Sequence, residues 1–276
     1  MHFRSQLFVP GNRPDRFEKA CNSGADLICI DLEDAVGLGE KDQSRQDVLS
    51  WLAKTDHKNV SLRINALDTE EGDKDVAALN NCGLTLPFLM IPKAASRSQL
   101  DKLDDKLPNV LGTFFVIIES AKGLLNCEEI FSNKRVTLGM YGLIDFAADI
   151  NCAPSWEAHL YARSRLVVAA AAHDVSLFDG PHVTVSDLDD CEATTRRAKS
   201  LGIHARSAIH PAQIKRIHSA LEPSAYEVDE AKRIMNAYHE AKGNVVLLDG
   251  KFVEAPVIKK AQQVLAFFSR QNDKVR

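Results

Sequence analysis

Several acids close the apolar runs of this chain. Glu33 and Asp34 follow Leu27-Ile28-Cys29-Ile30-Asp31, Glu119 follows Phe114-Phe115-Val116-Ile117-Ile118, and Asp145 comes soon after Arg135–Met140. Gathered in one cavity, such acids repel one another unless a cation joins them. Oxygen donors select a hard ion, so Mg²⁺ is expected, with Mn²⁺ or Ca²⁺ as alternatives. Zn²⁺ is disfavoured because no His/Cys cluster accompanies the acids. The competing reading is that single acids cap the helices behind them, and Asp145, ahead of Phe146-Ala147-Ala148, suits a cap.

Basic residues stand at similar places. Arg63 ends the run Val60–Ile64. Its planar guanidinium can clamp a carboxylate at two points; the alternative is a buried ion pair with Glu33 or Asp34. Arg13, Arg16 and Lys19 follow the first apolar run, where a helix start with basic groups suits phosphate, unless they form an ordinary solvated face. His210 either meets a ligand or satisfies a backbone carbonyl. Lys93 ends Phe88–Ile91 at a place where a Schiff-base lysine would stand, but the nearby acids favour a metal-stabilised enolate instead. No G-x-S-x-G nucleophile elbow is present.

These residues need a frame that brings them together. Strands are predicted at Ser5–Val9, Asp26–Asp31, Val60–Ile64, Phe88–Ile91, Thr113–Ile118, Arg135–Met140, Val175–Phe178 and Ala205–Ile209. Several are apolar on consecutive positions, as in parallel strands covered on both faces. Helical patterns lie between them at Arg13–Asn22, Asp42–Ala53, Trp156–Ala172 and Asp187–Ser200, with a further helix opening at Ser96. Eight strand–helix repeats predict an α/β fold, a (β/α)8 TIM barrel, over residues 1–222. An open doubly wound sheet is the runner-up, but no G-x-G-x-x-G follows the first strand. In a barrel the polar strand ends converge on one mouth. Residues 223–276 form an extension: a helix behind the Ser224/Glu227 capping box, a hairpin turning at Asp249-Gly250, and a last helix Ala255–Phe268. It would serve as a lid, a subunit contact, or both.

The chain has 276 residues, 45% of them hydrophobic and 26% charged, and a net charge of −4. That balance gives no basic face for nucleic acid. No apolar run reaches the roughly 20 residues of a membrane span, and no secretory signal is expected. Six cysteines without a C-x-x-C pair suggest reduced thiols in a cytoplasmic protein.

Further motifs connect these residues. Arg4-Ser5…Leu7-Phe8-Val9-Pro10-Gly11, Asp31-Leu32-Glu33-Asp34-Ala35-Val36, Arg63-Ile64-Asn65, Ile118-Glu119-Ser120-Ala121-Lys122-Gly123-Leu124, Gly142…Asp145-Phe146, Asp179-Gly180-Pro181 and Ile209-His210-Pro211-Ala212-Gln213-Ile214 occur in this order. Together they resemble the citrate lyase β-subunit-like (CitE-like) family of the HpcH/HpaI aldolase superfamily, in its stand-alone citramalyl-CoA or malyl-CoA lyase form. The resemblance spans nearly the whole chain. It implies a Mg²⁺-dependent carbon–carbon lyase that cleaves a 3-hydroxyacyl-CoA, citramalyl-CoA or malyl-CoA, to acetyl-CoA and a 2-keto acid through a metal-stabilised enolate. By that likeness Glu119 and Asp145 bind the metal directly, and Glu33 and Asp34 hold its waters. Arg63 binds the substrate, while Arg16 and the segment around His210-Pro211 contact coenzyme A. A homotrimer or hexamer is implied.

Two departures stand out. Ala205-Arg206 replaces the family's frequent Gly-Lys pair. Glu254, in Phe252-Val253-Glu254-Ala255-Pro256, stands where relatives carry an Asp delivered from a neighbouring subunit as the acid/base. The alternatives are a CoA-independent 2-keto acid aldolase and a citrate lyase β-type subunit active only with protein partners.

Overall fold

The structure, a computed structural model, describes residues 3–55, 58–108, 110, 112–241 and 246–274. Eight parallel strands close into a barrel: β1 (Ser5–Pro10), β2 (Leu27–Asp31), β3 (Val60–Arg63), β4 (Phe88–Ile91), β5 (Thr113–Ile118), β6 (Val136–Tyr141), β7 (Ser176–Asp179) and β8 (Ala205–Ala208). Closure comes from β8 pairing with β1 through Ser5↔Arg206, Gln6↔Ser207 and Leu7↔Ala208. Every predicted strand forms, with ends shifted by one residue at most. The expected TIM barrel is therefore observed, and the open sheet is excluded.

Strand alternation explains the consecutive apolar runs. Phe115 and Ile117 of β5 join Leu27, Cys29, Met90, Met140 and Phe178 in one buried cluster. Phe114, Val116 and Ile118 are equally buried, on the opposite face of the strand. The same alternation puts Asp31 in line with Leu27 and Cys29.

The helices between the strands are α1 (Phe17–Cys21), α2 (Lys41–Leu52), α3 (Glu70–Cys82), α4 (Arg97–Lys106), α5 (Ala121–Leu125), α6 (Cys127–Phe131), α7 (Leu143–Asp149), α8 (Trp156–Ala172), α9 (Leu188–Leu201) and α10 (Ala212–Leu221). Ser96 accepts the Gln99 N–H, as its spacing predicts, and Gly202 ends α9 in the left-handed conformation. The helix expected over Arg13–Asn22 is instead a 3-10 turn at Pro14–Arg16 followed by the short α1. Asp145 is not a cap: Gly142 holds that position, and Asp145 lies in the first turn of α7.

The chain divides into two compact units, Met1–Ala220 and Leu221–Arg276. The second contains α11 (Ala225–Glu240), the antiparallel pair β9 (Val246–Leu248) and β10 (Lys251–Val253), and α12 (Ala255–Lys274). Both reciprocal bonds of the Ser224/Glu227 capping box are made, at 3.1 and 2.8 Å. Asp249 and Gly250 both take positive φ, as a tight hairpin turn demands. Val245, the expected start of the hairpin, and Gly243, the expected helix end, lie outside the described residues. No described helix is long and apolar enough to cross a membrane.

Candidate active site

The C-terminal ends of β2 to β6 bring acids and bases to one mouth. Asp31, at the end of β2, is 1% exposed and lies beside Arg63 of β3 in strand register. Arg63 Nε and Nη2 donate to its two carboxylate oxygens at 2.6 and 2.5 Å. The two-point clamp anticipated for Arg63 is thus made on a carboxylate of this chain. The third edge of the guanidinium remains: Nη1 stands 3.0 Å from Glu33 Oε2 and 3.8 Å from Asp34 Oδ2. Phe8 of β1 lies beneath, its ring centre 5.0 Å from the guanidinium carbon.

Glu33 is 5% exposed, and neither of its oxygens has an aligned hydrogen-bond donor. Charge alone holds it, through Arg63 and through Lys93 Nζ at 3.2 Å. Burial keeps its carboxyl above the ordinary range, against the pull of Arg63. Asp34 is exposed.

Lys93 follows β4 with a φ of 52°. A residue with a β-carbon rarely adopts this conformation, and here it accompanies a contact at the mouth. The Lys93 N–H donates to Glu119 Oε1 at 2.6 Å. Glu119 follows β5 and is 5% exposed. Burial first, and then the charges of Glu33 and Asp145, push its carboxyl up to about 8. Asp145, in the first turn of α7, lies close enough for its charge to raise the Glu119 carboxyl, so the two carboxyls can share a proton or a cation. Gly142 leaves room for this: a β-carbon there would lie 2.6 Å from Glu119 Oε2.

This donor set fits a hard divalent ion. Two carboxylates face each other, a third lacks hydrogen bonds, and every donor is oxygen. Among the described residues no three His, Cys, Asp or Glu side chains already form a metal cluster. Mg²⁺ does not require one, because it commonly keeps several waters and takes one or two carboxylates.

The other predicted residues lie elsewhere. Arg16 and Lys19 are exposed beyond β1, and Arg13 is half-buried, paired with Asp15 at 2.8 Å. α1 has only five residues, so exposed charge and not a helix terminus is what this segment offers an anion. His210 and Pro211 are exposed beyond β8. His210 Nδ1 accepts the Ala212 N–H at 3.2 Å, so the backbone group it satisfies is an amide and not the expected carbonyl. Since β8 neighbours β1, these two basic segments share one sector of the rim. Arg206 is 3% exposed and donates to Gly180 O, Thr194 Oγ1 and Thr195 Oγ1. Its charge is spent inside the protein. Glu254 is exposed in the second unit, at the start of α12.

Asp31 and Gln213 escaped the sequence reading as site residues. Gln213 is fully buried; its side chain accepts from Ile209 N and donates to His182 O, which holds the β8 loop. The signal for Asp31 was its period-two alignment with Cys29, facing Arg63 across the register.

Comparison with known proteins places this geometry. The HpcH/HpaI aldolase/citrate lyase family model matches residues 4–211. A (3S)-malyl-CoA thioesterase of Cereibacter sphaeroides is 33% identical over 96% of this chain and 94% of its own length. An L-malyl-CoA/beta-methylmalyl-CoA lyase of the same species is 33% identical over 95% and 93%. Among solved structures, CitE of Mycobacterium tuberculosis in complex with magnesium, acetoacetate and coenzyme A superposes with a TM-score of 0.85. It is 27% identical and covers 96% of this chain and 97% of its own.

Proposed function

We propose that this chain, which belongs to the HpcH/HpaI aldolase/citrate lyase family, cleaves citramalyl-CoA or malyl-CoA into acetyl-CoA and a 2-keto acid. Membership makes it an enzyme of the carbon–carbon lyase class. The observation that carries the reading is the buried Glu119 carboxyl, facing both Asp145 and Glu33 at the barrel mouth.

Glu119 and Asp145 are the residues that would hold Mg²⁺, with Mn²⁺ as a substitute, and Glu33 and Asp34 complete the acidic wall. When bound, the ion supplies a Lewis acid for the oxygens of a 2-hydroxy acid and for the developing enolate. Arg63 is held rigid by Asp31, so its Nη1 edge points at a fixed place in the mouth. A fixed donor orients a substrate oxygen without further ordering. The hydroxyl proton leaves, the C–C pair shifts onto the thioester carbon skeleton, and one proton returns to that carbon to give acetyl-CoA. Glu254 is assigned as the acid/base for this exchange, carried by the lid and subunit-contact extension of residues 223–276. Arg13, Arg16, Lys19, His210 and Pro211 line the sector that would receive coenzyme A, as the exposure of both segments and the β1–β8 pairing support. The assembly assigned is a homotrimer or hexamer in the cytoplasm.

The test offers purified protein each thioester, with Mg²⁺ and with chelator, and identifies the products. Mg²⁺-dependent pyruvate or glyoxylate together with acetyl-CoA is expected. Free CoA with the four- or five-carbon acid intact would instead indicate the hydrolysis for which the thioesterase relative is named. No product from either thioester would overturn the reading.

A further inference from the structure

Lys41 is the first residue of α2 and is 7% exposed. Its ammonium has three protons and three acceptors: Leu32 O at 2.8 Å, Glu33 O at 2.9 Å and Asn65 Oδ1 at 2.5 Å. Two are consecutive carbonyls of the acidic segment after β2. The third belongs to the segment after β3, two residues beyond Arg63. Asn65 is gripped from the other side by Asp75 of α3, whose Oδ2 accepts both its N–H and its Nδ2–H at 2.7 Å. Asp75 Oδ1 accepts from Arg45 Nε at 2.6 Å, and Arg45 lies one helical turn after Lys41. The ring Lys41–Asn65–Asp75–Arg45 is therefore closed, buried, and anchored twice on α2.

The side chains of this ring bond to one another, to Leu32 O and Glu33 O, and through Arg45 to Asp42 and Glu71. Its hold on the site passes through the backbone of Glu33, whose carboxylate lacks hydrogen bonds of its own. A fixed backbone sets the point and direction from which the Glu33 side chain departs, and from that origin the ion pairs with Arg63 and Lys93 select one place for the carboxylate.

We infer that Lys41 is a positioning residue: it sets the Glu33 backbone, and through it the Glu33 carboxylate, relative to Arg63 and the Glu119–Asp145 pair. This rests on the functional reading above. Lys41→Met keeps the length of the side chain and removes all three donors. Arg135→Leu serves as the stability control, because Arg135 ties Gly112 O and Val110 O at the opposite, N-terminal end of β6.

Mg²⁺ affinity is read by calorimetry, turnover by keto-acid release, and stability by thermal melting. In Lys41→Met, Mg²⁺ affinity and kcat are expected to fall about 10–100-fold, the range for residues that orient metal-site groups. The KM for the thioester should stay within about threefold, a split that marks orientation over uniform binding. In a Glu33→Gln background the same substitution should cost less than about threefold, since its route is already removed. Arg135→Leu should lower the melting temperature but retain kcat. Equal loss of stability in both variants, with Mg²⁺ affinity and kcat retained in Lys41→Met, would overturn the inference. So would full additivity with Glu33→Gln. If wild type releases no keto acid, the functional reading fails, and the calorimetric comparison alone still decides the role of Lys41. Wild-type protein that binds no Mg²⁺ would overturn both.

Discussion

Gly142 and Glu119 compete for one volume: a β-carbon on Gly142 would stand 2.5 Å from the Glu119 β-carbon and 2.6 Å from Oε2. No rotamer of a residue at 142 escapes this, because its β-carbon itself makes the clash. Gly142→Ala must push Glu119 off its place facing Asp145. A displacement of about 1 Å costs about 10²-fold in rate at a well-oriented site. The expected result is that loss in kcat/KM with the barrel intact by circular dichroism. Unchanged kcat/KM would mean that Glu119 does not need its observed position.

Much of this arrangement was legible before the fold was seen. The eight strands announced themselves because both of their faces are buried, which makes runs such as Phe114–Ile118 apolar throughout. Glu33, Arg63, Glu119 and Asp145 were visible as polar residues at or beyond the strand ends. Helices α5, α6 and α7 were not, because five to seven residues are too short to show an apolar stripe. The ion pairs of Arg63 with Glu33 and Asp34 were anticipated, but its two-point partner Asp31 was not. Three acids crowd Asp31-Leu32-Glu33-Asp34, and only the strand register identifies Asp31 as the one opposite Arg63. Lys93 holds Glu119 with its backbone N–H, a contact that residue type cannot reveal.

The raised Glu119 carboxyl gives the metal-free protein a definite pH response. Native Glu119 keeps its proton up to about 8, whereas the unfolded chain releases it near the ordinary 4.5. The native state therefore binds more protons across this window. Its contribution to stability is full below 4.5 and fades as pH rises toward 8. Glu119→Gln is neutral throughout and lacks this decline. Melting temperatures of both proteins in chelator should lie closest together at about pH 5 and diverge toward about pH 8, where wild type falls below Glu119→Gln, if both are otherwise equal. Parallel curves would contradict the burial argument.

Arg63 and Asp31 form a buried pair with both guanidinium bonds aligned. Arg63→Met would leave Asp31, 1% exposed, as an uncompensated charge. Breaking such a pair destabilises by about 3–5 kcal/mol. Urea denaturation should show a loss of that size. Arg63→Lys should show a smaller one, because it keeps the charge but not the fork. Neutral behaviour of Arg63→Met would mean that the Glu33 and Ala35 N–H groups, which also donate to Asp31, suffice to hold its charge.

Glu254 offers a test that separates chemistry from assembly. Glu254→Gln should lower kcat with little change in KM, and Glu254→Asp should recover part of the rate. With Glu254 delivered from a neighbouring subunit, co-expressed Glu254→Gln and Glu119→Gln chains should regain activity that neither shows alone. Mixed assemblies that stay inactive would place Glu254 outside the reaction or within its own subunit's site.

The most direct single measurement is keto-acid release as a function of Mg²⁺ for wild type, Glu119→Gln and Asp145→Asn. Wild type should be activated in a saturable way and silenced by chelator. Each variant should lose about 10²–10³-fold in kcat, as removal of a preorganised charge-stabilising group does. Cleavage that persists in chelator, or in both variants at the wild-type rate, would contradict the assignment of the Glu119–Asp145 pair as the metal-holding centre of a carbon–carbon lyase.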